Sequence, residues 1–202
     1  MTTLTPVTRA AMADLPTRFG HFQIAVYLDA EQKEQVALFC GQIDNSEPVL
    51  TRLHSECLTG DIFGSHRCDC GEQLAAALTA IQQEGRGVLL YLRQEGRGIG
   101  LVNKIRAYAL QQQGLDTVDA NRALGFPDDM RDYSIAATIL RDLGITSVRL
   151  LTNNPAKMTS LEQHGIQVLE RVPLQVPATT YSASYLLTKQ LRMGHLLDSR
   201  LL

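Results

Sequence analysis

A chain of 202 residues that is 45% hydrophobic has the length and composition of an ordinary globular protein, and one domain is the expected count. Its 19 lysines and arginines against 21 acids give a net charge of −2, which argues against non-specific binding to nucleic acid or anionic membrane, since that needs a basic surface. No apolar run approaches the roughly 20 residues of a membrane span, and the amino terminus has no apolar core of signal-peptide length, so a cytoplasmic location with reduced cysteines is expected.

Apolar and polar residues alternate over residues 21–28 and 35–40, which predicts two strands, and a short third strand is expected over 49–54. Leu74, Leu78 and Ile81 fall at helical spacing within 73–83, and Gly85 and Gly87 end that helix before an apolar strand over 88–92. Gly98 to Gly100 open a second helix over 101–110, and a third is expected over 132–143, stopped by Gly144. After a strand over 148–151, Asn154 and Pro155 supply the cap and first-turn proline of a helix reaching Gln163, and 166–171 forms one more strand. The tail, 185–197, is predicted helical. Strands and helices alternate from about residue 70 while the first 55 residues favour antiparallel strands, so the fold class is α/β with a mixed sheet flanked by helices. The single domain spans residues 1–202, with 173–202 a C-terminal tail and helix expected to be mobile or swapped.

Three of the four cysteines, Cys57, Cys68 and Cys70, lie close together in the chain. Closely spaced cysteines in a reducing compartment are more often metal ligands than disulfides. Structural zinc takes four protein ligands and catalytic zinc three, so the count points to an open, hydrolytic site, with His54 or His66 as the alternative fourth ligand that would close it. Residues two apart in extended chain project to one side, so Cys68 and Cys70 grip one ion and Asp69 points away. Three thiolates leave a divalent ion at a formal −1, which calls for a positive neighbour; Arg67 and the dipole of the following helix are the candidates. Cys40, in Val36-Ala-Leu-Phe-Cys40, reads as a small buried hydrophobe.

Three further loops are polar. Tyr91-Leu-Arg-Gln-Glu-Gly-Arg-Gly-Ile-Gly100 joins a strand end to a helix start through glycines, with Arg93 and Arg97 as partners for an anion, although a tight turn with solvated arginines explains the same residues. Gly125-Phe-Pro-Asp-Asp-Met-Arg-Asp-Tyr133 sets carboxylates beside an arginine, as general-base work and stabilisation of developing negative charge require; helix capping is the simpler reading of Asp128 and Asp132. Leu151-Thr-Asn-Asn-Pro-Ala-Lys157 lies at the carboxyl end of a strand, where α/β proteins take ligands. Four such loops, one of them metal-binding, point to a phosphorylated nucleobase compound.

Arg52-Leu-His-Ser-Glu-Cys57, Arg67-Cys-Asp-Cys-Gly71, Arg93-Gln-Glu-Gly-Arg97, Gly98-Ile-Gly-Leu101 and Thr152-Asn-Asn-Pro155, in that order and spacing, resemble GTP cyclohydrolase II from about Leu15 to Leu197. The resemblance implies the first step of riboflavin biosynthesis, in which GTP loses C8 as formate and its outer phosphates as pyrophosphate to leave a diaminopyrimidine ribosyl monophosphate. It implies one Zn²⁺ per chain on Cys57, Cys68 and Cys70, which activates water for attack at C8. It implies GTP contacts at Arg52, Leu53, His54, Ser55, Glu56, Gln73, Glu95, Gly96, Arg97, Thr117, Thr152 and Lys157. Asp129 matches the proton acceptor, Tyr108 a tyrosine of the ring-opening step, and Arg131 the nucleophile toward the α-phosphate. A guanidinium with a pKa above about 12 is physically better suited to clamping the leaving charge.

The resemblance further implies a homodimer with GTP as its small-molecule partner; triphosphate chemistry adds an expected Mg²⁺, and the charge and hydropathy already noted leave no nucleic-acid or membrane partner expected. Residues 177–184 lack the asparagines that usually precede Tyr185-Leu-x-Thr-Lys189, a departure that bears on tail packing, and the chain has no room for a dihydroxybutanone phosphate synthase domain, so one activity is expected. Three other readings stand beside this one, the first two less well supported and the third compatible with the same residues. A regulatory module would keep the zinc without turnover, and a zinc-ribbon binder of nucleic acid would need a fourth ligand and a basic face. A third would be an enzyme that stops at the formamide or takes another purine nucleotide.

Overall fold

The computed structural model describes residues 5–44 and 46–201. Its strands are β1 (Val7–Thr17), β2 (Gly20–Asp29), β3 (Glu34–Cys40), β4 (Val49–Ser55), β5 (Gly87–Leu92), β6 (Ser147–Leu151) and β7 (Gln167–Val172). Its helices are α1 (Leu58–Asp61), α2 (Cys70–Glu84), α3 (Gly100–Gln112), α4 (Thr117–Ala123), α5 (Ser134–Asp142), α6 (Pro155–Gln163) and α7 (Ala183–Met193). The chain divides into two compact units. The first comprises the chain up to His54, Leu74–Arg93 and Asp132–Leu174; the second comprises Ser55–Gln73, Gln94–Arg131 and the chain from Gln175 onward.

The first unit carries a sheet of seven strands among the described residues, in the order β1-β2-β3-β5-β4-β6-β7. The pairs β1–β2, β2–β3 and β3–β5 are antiparallel, whereas β4–β6 and β6–β7 are parallel, so the sheet is mixed and its early strands are antiparallel as the sequence predicts. Tyr27, Leu53, Val88, Leu90 and Leu92 pack with Ile135, Ile139 and Leu140 of α5 and Leu161 of α6. Phe22, Leu50 and Leu89 pack instead with Ala77, Leu78 and Ile81 of α2. Successive residues of β5 thus enter opposite clusters, which is why this strand reads as an unbroken apolar run.

Several boundaries move from their expected positions. β1 is absent from the sequence reading because residues 8–14 are exposed and so carry no alternation. The third predicted helix begins at Ser134, where Asp132 Oδ1 accepts the Ser134 N–H at 2.8 Å, and it ends at Asp142. Asp128 caps nothing: its carboxylate forms a bidentate pair with Arg122 at 2.8 and 2.9 Å. The tail helix is shifted to Ala183–Met193 because Gly194 adopts a left-handed φ of 65° that ends it. Asn154 caps α6 through the Ala156 N–H at 3.0 Å, with Pro155 in its first turn.

The second unit is built from α1, a 3₁₀ turn over Glu95–Gly98, α3, α4 and α7. Asp116 caps α4 by accepting the Val118 and Asp119 N–H groups, and Arg192 of α7 pairs with both Asp116 and Asp119. With four and seven residues, α1 and α4 are too short to announce themselves by periodicity. Among the described residues, no helix is long and apolar enough to cross a membrane.

Candidate active site

The loop that enters α1 and the loop that enters α2 bring the Sγ atoms of Cys57, Cys68 and Cys70 within 4.8 Å of one another. Cys57 and Cys68 are 3.6 Å apart, close to the roughly 3.8 Å that tetrahedral thiolates on zinc-length bonds would show. All three are free thiols. Gly60 floors the cluster: a Cβ there would lie 3.0 Å from Cys68 Sγ and 3.2 Å from Cys57 Sγ, crowding the sulfurs. The Cys68 and Cys70 thiols donate toward Cys57, and with Lys104 they hold its pKa far below the ordinary thiol range. For the same reason Cys68 is pushed up to about 11 and Cys70 is raised well above the usual value. Three thiolates therefore coexist here only when a cation replaces the remaining protons, so the donor set fits a soft divalent metal. The metal-ligating group among the described residues is these three cysteines, with no histidine added; His66 stacks instead on Tyr181, with centroids 6.4 Å apart.

A buried ion pair adjoins the sulfurs. Lys104 Nζ lies 2.7 Å from Glu95 Oε1 and 3.2 Å from Cys57 Sγ. Burial opposes the ammonium, but Glu95 and Cys57 outweigh it and raise the Lys104 pKa, so the group stays charged. Glu95 also accepts the Leu58 N–H on Oε2 and the Gly96 N–H on Oε1, each at 2.7 Å.

The glycine turn positions Arg97. Its backbone is left-handed, with φ 62° and ψ 33°, and Gly98 beside it packs so tightly that a Cβ would sit 2.9 Å from Met130 Cβ. The Met130 N–H donates to Arg97 O at 3.0 Å, which ties the turn to the loop bearing Asp129 and Arg131. Both terminal nitrogens of Arg97 are buried without a hydrogen-bond partner among the described residues. Arg131 grips Asp129 in a fork, Nη2 to Oδ2 at 2.5 Å and Nε to Oδ1 at 2.9 Å. Burial pushes the Asp129 carboxyl up, but the hydrogen bonds and charge of Arg131, with Arg97 beyond, bring it below the usual carboxylate range. Tyr108 points its hydroxyl to within 3.5 Å of Thr59 Oγ1, the Arg67 guanidinium lies 4.9 Å from its ring centroid, and burial raises its pKa.

A cavity of about 100 Å³ is lined by Ser55, Glu56, the three cysteines, Glu95, Gly96, Arg97, Tyr108, Thr117 and Arg131, all named by the sequence. Asp129 reaches it through Arg131. A second cavity of about 550 Å³ shares Arg67, Gln111, Thr117 and Tyr185 with the first. The first is below, and the second within, the roughly 300–1,000 Å³ common for ligand sites. Arg52, Leu53, His54, Thr152 and Lys157 belong to the first unit. There Arg52 Nη1 donates to Leu151 O at 2.9 Å, Lys157 Nζ donates to Leu53 O at 2.7 Å, His54 stacks on Tyr91, and Thr152 Oγ1 accepts the Asn154 N–H. Gln73 donates to Asp69 Oδ2 at 2.5 Å.

Sequence reasoning missed Lys104, Gln111 and Lys189. The first two were findable, since Lys104, Ala107, Tyr108 and Gln111 stand at i, i+3, i+4 and i+7 on α3 and all line the cavity. Lys189 closes the Tyr185-Leu-x-Thr-Lys189 pattern, but nothing local in the sequence ties it to the cysteine loop. It pairs at 2.8 Å with Asp69, the buried residue between Cys68 and Cys70, and so fastens α7 to the cysteine loop. Lys189→Met leaves that carboxylate without its counter-charge, at a cost of about 3–5 kcal/mol. The unfolding midpoint should fall by roughly 10 °C, and metal should pass to a chelator faster than in Lys189→Arg. Calorimetry and a chromogenic chelator check both.

The family model for GTP cyclohydrolase II matches residues 8–173. The riboflavin biosynthesis protein RibBA of Bacillus cereus is 60% identical over 195 residues, which are 96% of this chain and 49% of that protein. The RibBA protein of Bacillus cytotoxicus is 58% identical over 193 residues, with 95% and 49% covered. The chain thus spans about half the length of the curated relatives it matches. Among solved structures, RibBX of A. baumannii, described as a two-domain 3,4-dihydroxy-2-butanone 4-phosphate synthase, aligns with a TM-score of 0.49 at 18% identity, covering 84% of this chain and 40% of that one.

Proposed function

Since the chain belongs to the GTP cyclohydrolase II family, we propose that it hydrolyses GTP, opening the guanine imidazole ring and releasing formate from C8 and pyrophosphate, as the first step of riboflavin biosynthesis. The observation that carries this reading is one cavity lined both by a three-thiol metal group and by Arg97, whose buried terminal nitrogens lack a hydrogen-bond partner among the described residues. A nucleoside triphosphate supplies what each part lacks, a hydrolysable ring at one end and anionic oxygens at the other.

Zinc on Cys57, Cys68 and Cys70 would supply Lewis-acid activation of water near neutral pH. Arg97 donates to the phosphates. Arg131, a guanidinium and so permanently cationic, clamps charge on the α-phosphate as pyrophosphate leaves. Asp129 is a weak base while the guanidinium holds it, and phosphates that draw Arg131 away restore its basicity, so its role as proton acceptor follows substrate entry. Tyr108, protonated because burial raises its pKa, is a hydrogen-bond donor for the opening ring. The other GTP contacts proposed are Arg52 to Glu56, Gln73, Glu95, Gly96, Thr117, Thr152 and Lys157, with Mg²⁺ carried by the phosphates themselves. Exposed Leu101, Val102 and Ile105 give α3 an apolar stripe that supports a homodimer, and the proposed compartment is the cytoplasm.

The test is incubation of zinc-loaded protein with GTP. Formate and pyrophosphate should appear in equal amounts with a product mass matching the diaminopyrimidine monophosphate. A formylated product of higher mass would favour the enzyme that stops early, and unchanged GTP would remove the proposal.

A further inference from the structure

We infer that Lys104 is a positioning residue for the metal-bearing thiolates, its ammonium donating a hydrogen bond to Cys57 that makes Cys57 the weakest electron donor of the three ligands. The inference rests on the proposed metal site and adds a residue to it. Lys104 and Glu95 are each 9% exposed, and an ammonium is costly to bury unless its position serves both partners. Glu95 is itself fixed by two backbone N–H groups, those of Leu58 and Gly96. Leu58 follows Cys57 directly in the chain, so the carboxylate that holds Lys104 is registered to the very ligand that Lys104 touches at 3.2 Å.

Together Lys104 and Glu95 are electrically neutral, so their effect on a −1 metal-trithiolate group is directional more than a matter of net charge. An N–H···S bond withdraws density from one sulfur only. Cys68 also receives a backbone N–H bond, from Cys70, but a neutral one; among the described contacts the charged donor Lys104 reaches Cys57 alone, and the three ligands are therefore unequal. Partners that hydrogen-bond to metal ligands are commonly worth about 10–100-fold in metal affinity or activity.

Cobalt(II) in place of zinc reports the effect without turnover, through the sulfur-to-cobalt charge-transfer band. In Lys104→Met the band should move to longer wavelength, because a sulfur without its N–H donor gives up charge more easily. Lys104→Arg, which keeps cation and donor, should restore most of the position. Lys189→Met, which loosens the same loop but leaves the N–H donor of Cys57 in place, should shift the band less than Lys104→Met. With zinc, Lys104→Met should lose about 10–100-fold in kcat with little change in KM. Should Lys104→Met fail to fold, Lys104→Gln serves instead, with a smaller shift in the same direction expected from its neutral donor. An unshifted band in a folded, cobalt-loaded Lys104→Met or Lys104→Gln protein overturns the inference alone. Absence of any charge-transfer band in the wild type overturns the metal site and the inference together.

Discussion

Cys68→Ser is expected to lose its metal and, with it, formate release from GTP. The three sulfurs lie within 4.8 Å of one another over the Gly60 backbone, and among the described residues no histidine or carboxylate joins them as a fourth member of the group. A serine hydroxyl is neutral at working pH and a poor ligand for a soft ion, so two thiolates remain where three are needed. The Lewis-acid contribution of a bound metal is several kcal/mol, so its loss lowers the rate on the order of 10³-fold or more. The side chains are nearly isosteric, so the sheet should be intact by circular dichroism. Metal stoichiometry and formate are measured on the same preparation. Full metal content with wild-type formate yield would falsify the assignment of Cys68 as a ligand.

Arg97→Gly should move activity and stability in opposite directions. The wild-type side chain sits on a left-handed backbone that costs a non-glycine residue about 1 kcal/mol, and its two terminal nitrogens are buried without a hydrogen bond among the described residues. Both penalties vanish in glycine. Hydrogen bonds to charged groups are worth about 1.5–3 kcal/mol each, so losing the phosphate donor should weaken GTP binding by roughly 10–100-fold. Arg97→Ala should weaken binding as much, yet be less stable than Arg97→Gly by about 1 kcal/mol, because alanine keeps the Cβ on the same backbone. Denaturant unfolding and GTP titration on the two variants separate the effects. Equal stability of the glycine and alanine proteins would show that the turn is not strained, and unchanged affinity in both would remove Arg97 from the site.

The parts of this protein that were legible in its sequence are those whose chemistry is periodic or locally spaced. β5 could be read because both of its faces are buried, and α6 because Asn154 and Pro155 mark its start. β1 could not, since an exposed edge strand has no face that must be apolar. The cysteine group was legible from spacing alone, and so was the need for a positive charge beside it. The identity of that charge was not: Arg67 stacks on Tyr108, while Lys104, which meets Cys57 across 47 positions of sequence, reads locally as one more lysine on a helix. The motif names Glu95 without its partners, and only the fold supplies Leu58 N–H, Gly96 N–H and Lys104. Lys189 lies 120 positions from Asp69, beyond any local signal.

That separation has a consequence in time. At about 5–20 residues per second, a ribosome makes the cysteine loop roughly ten seconds before it makes Lys189. During that interval the Lys189–Asp69 pair cannot form, and the three thiols lie on a growing chain whose fastening helix does not yet exist. Until α7 has been made, the ion pair that fastens the cysteine loop cannot close, so the three sulfurs are drawn together before they are fastened.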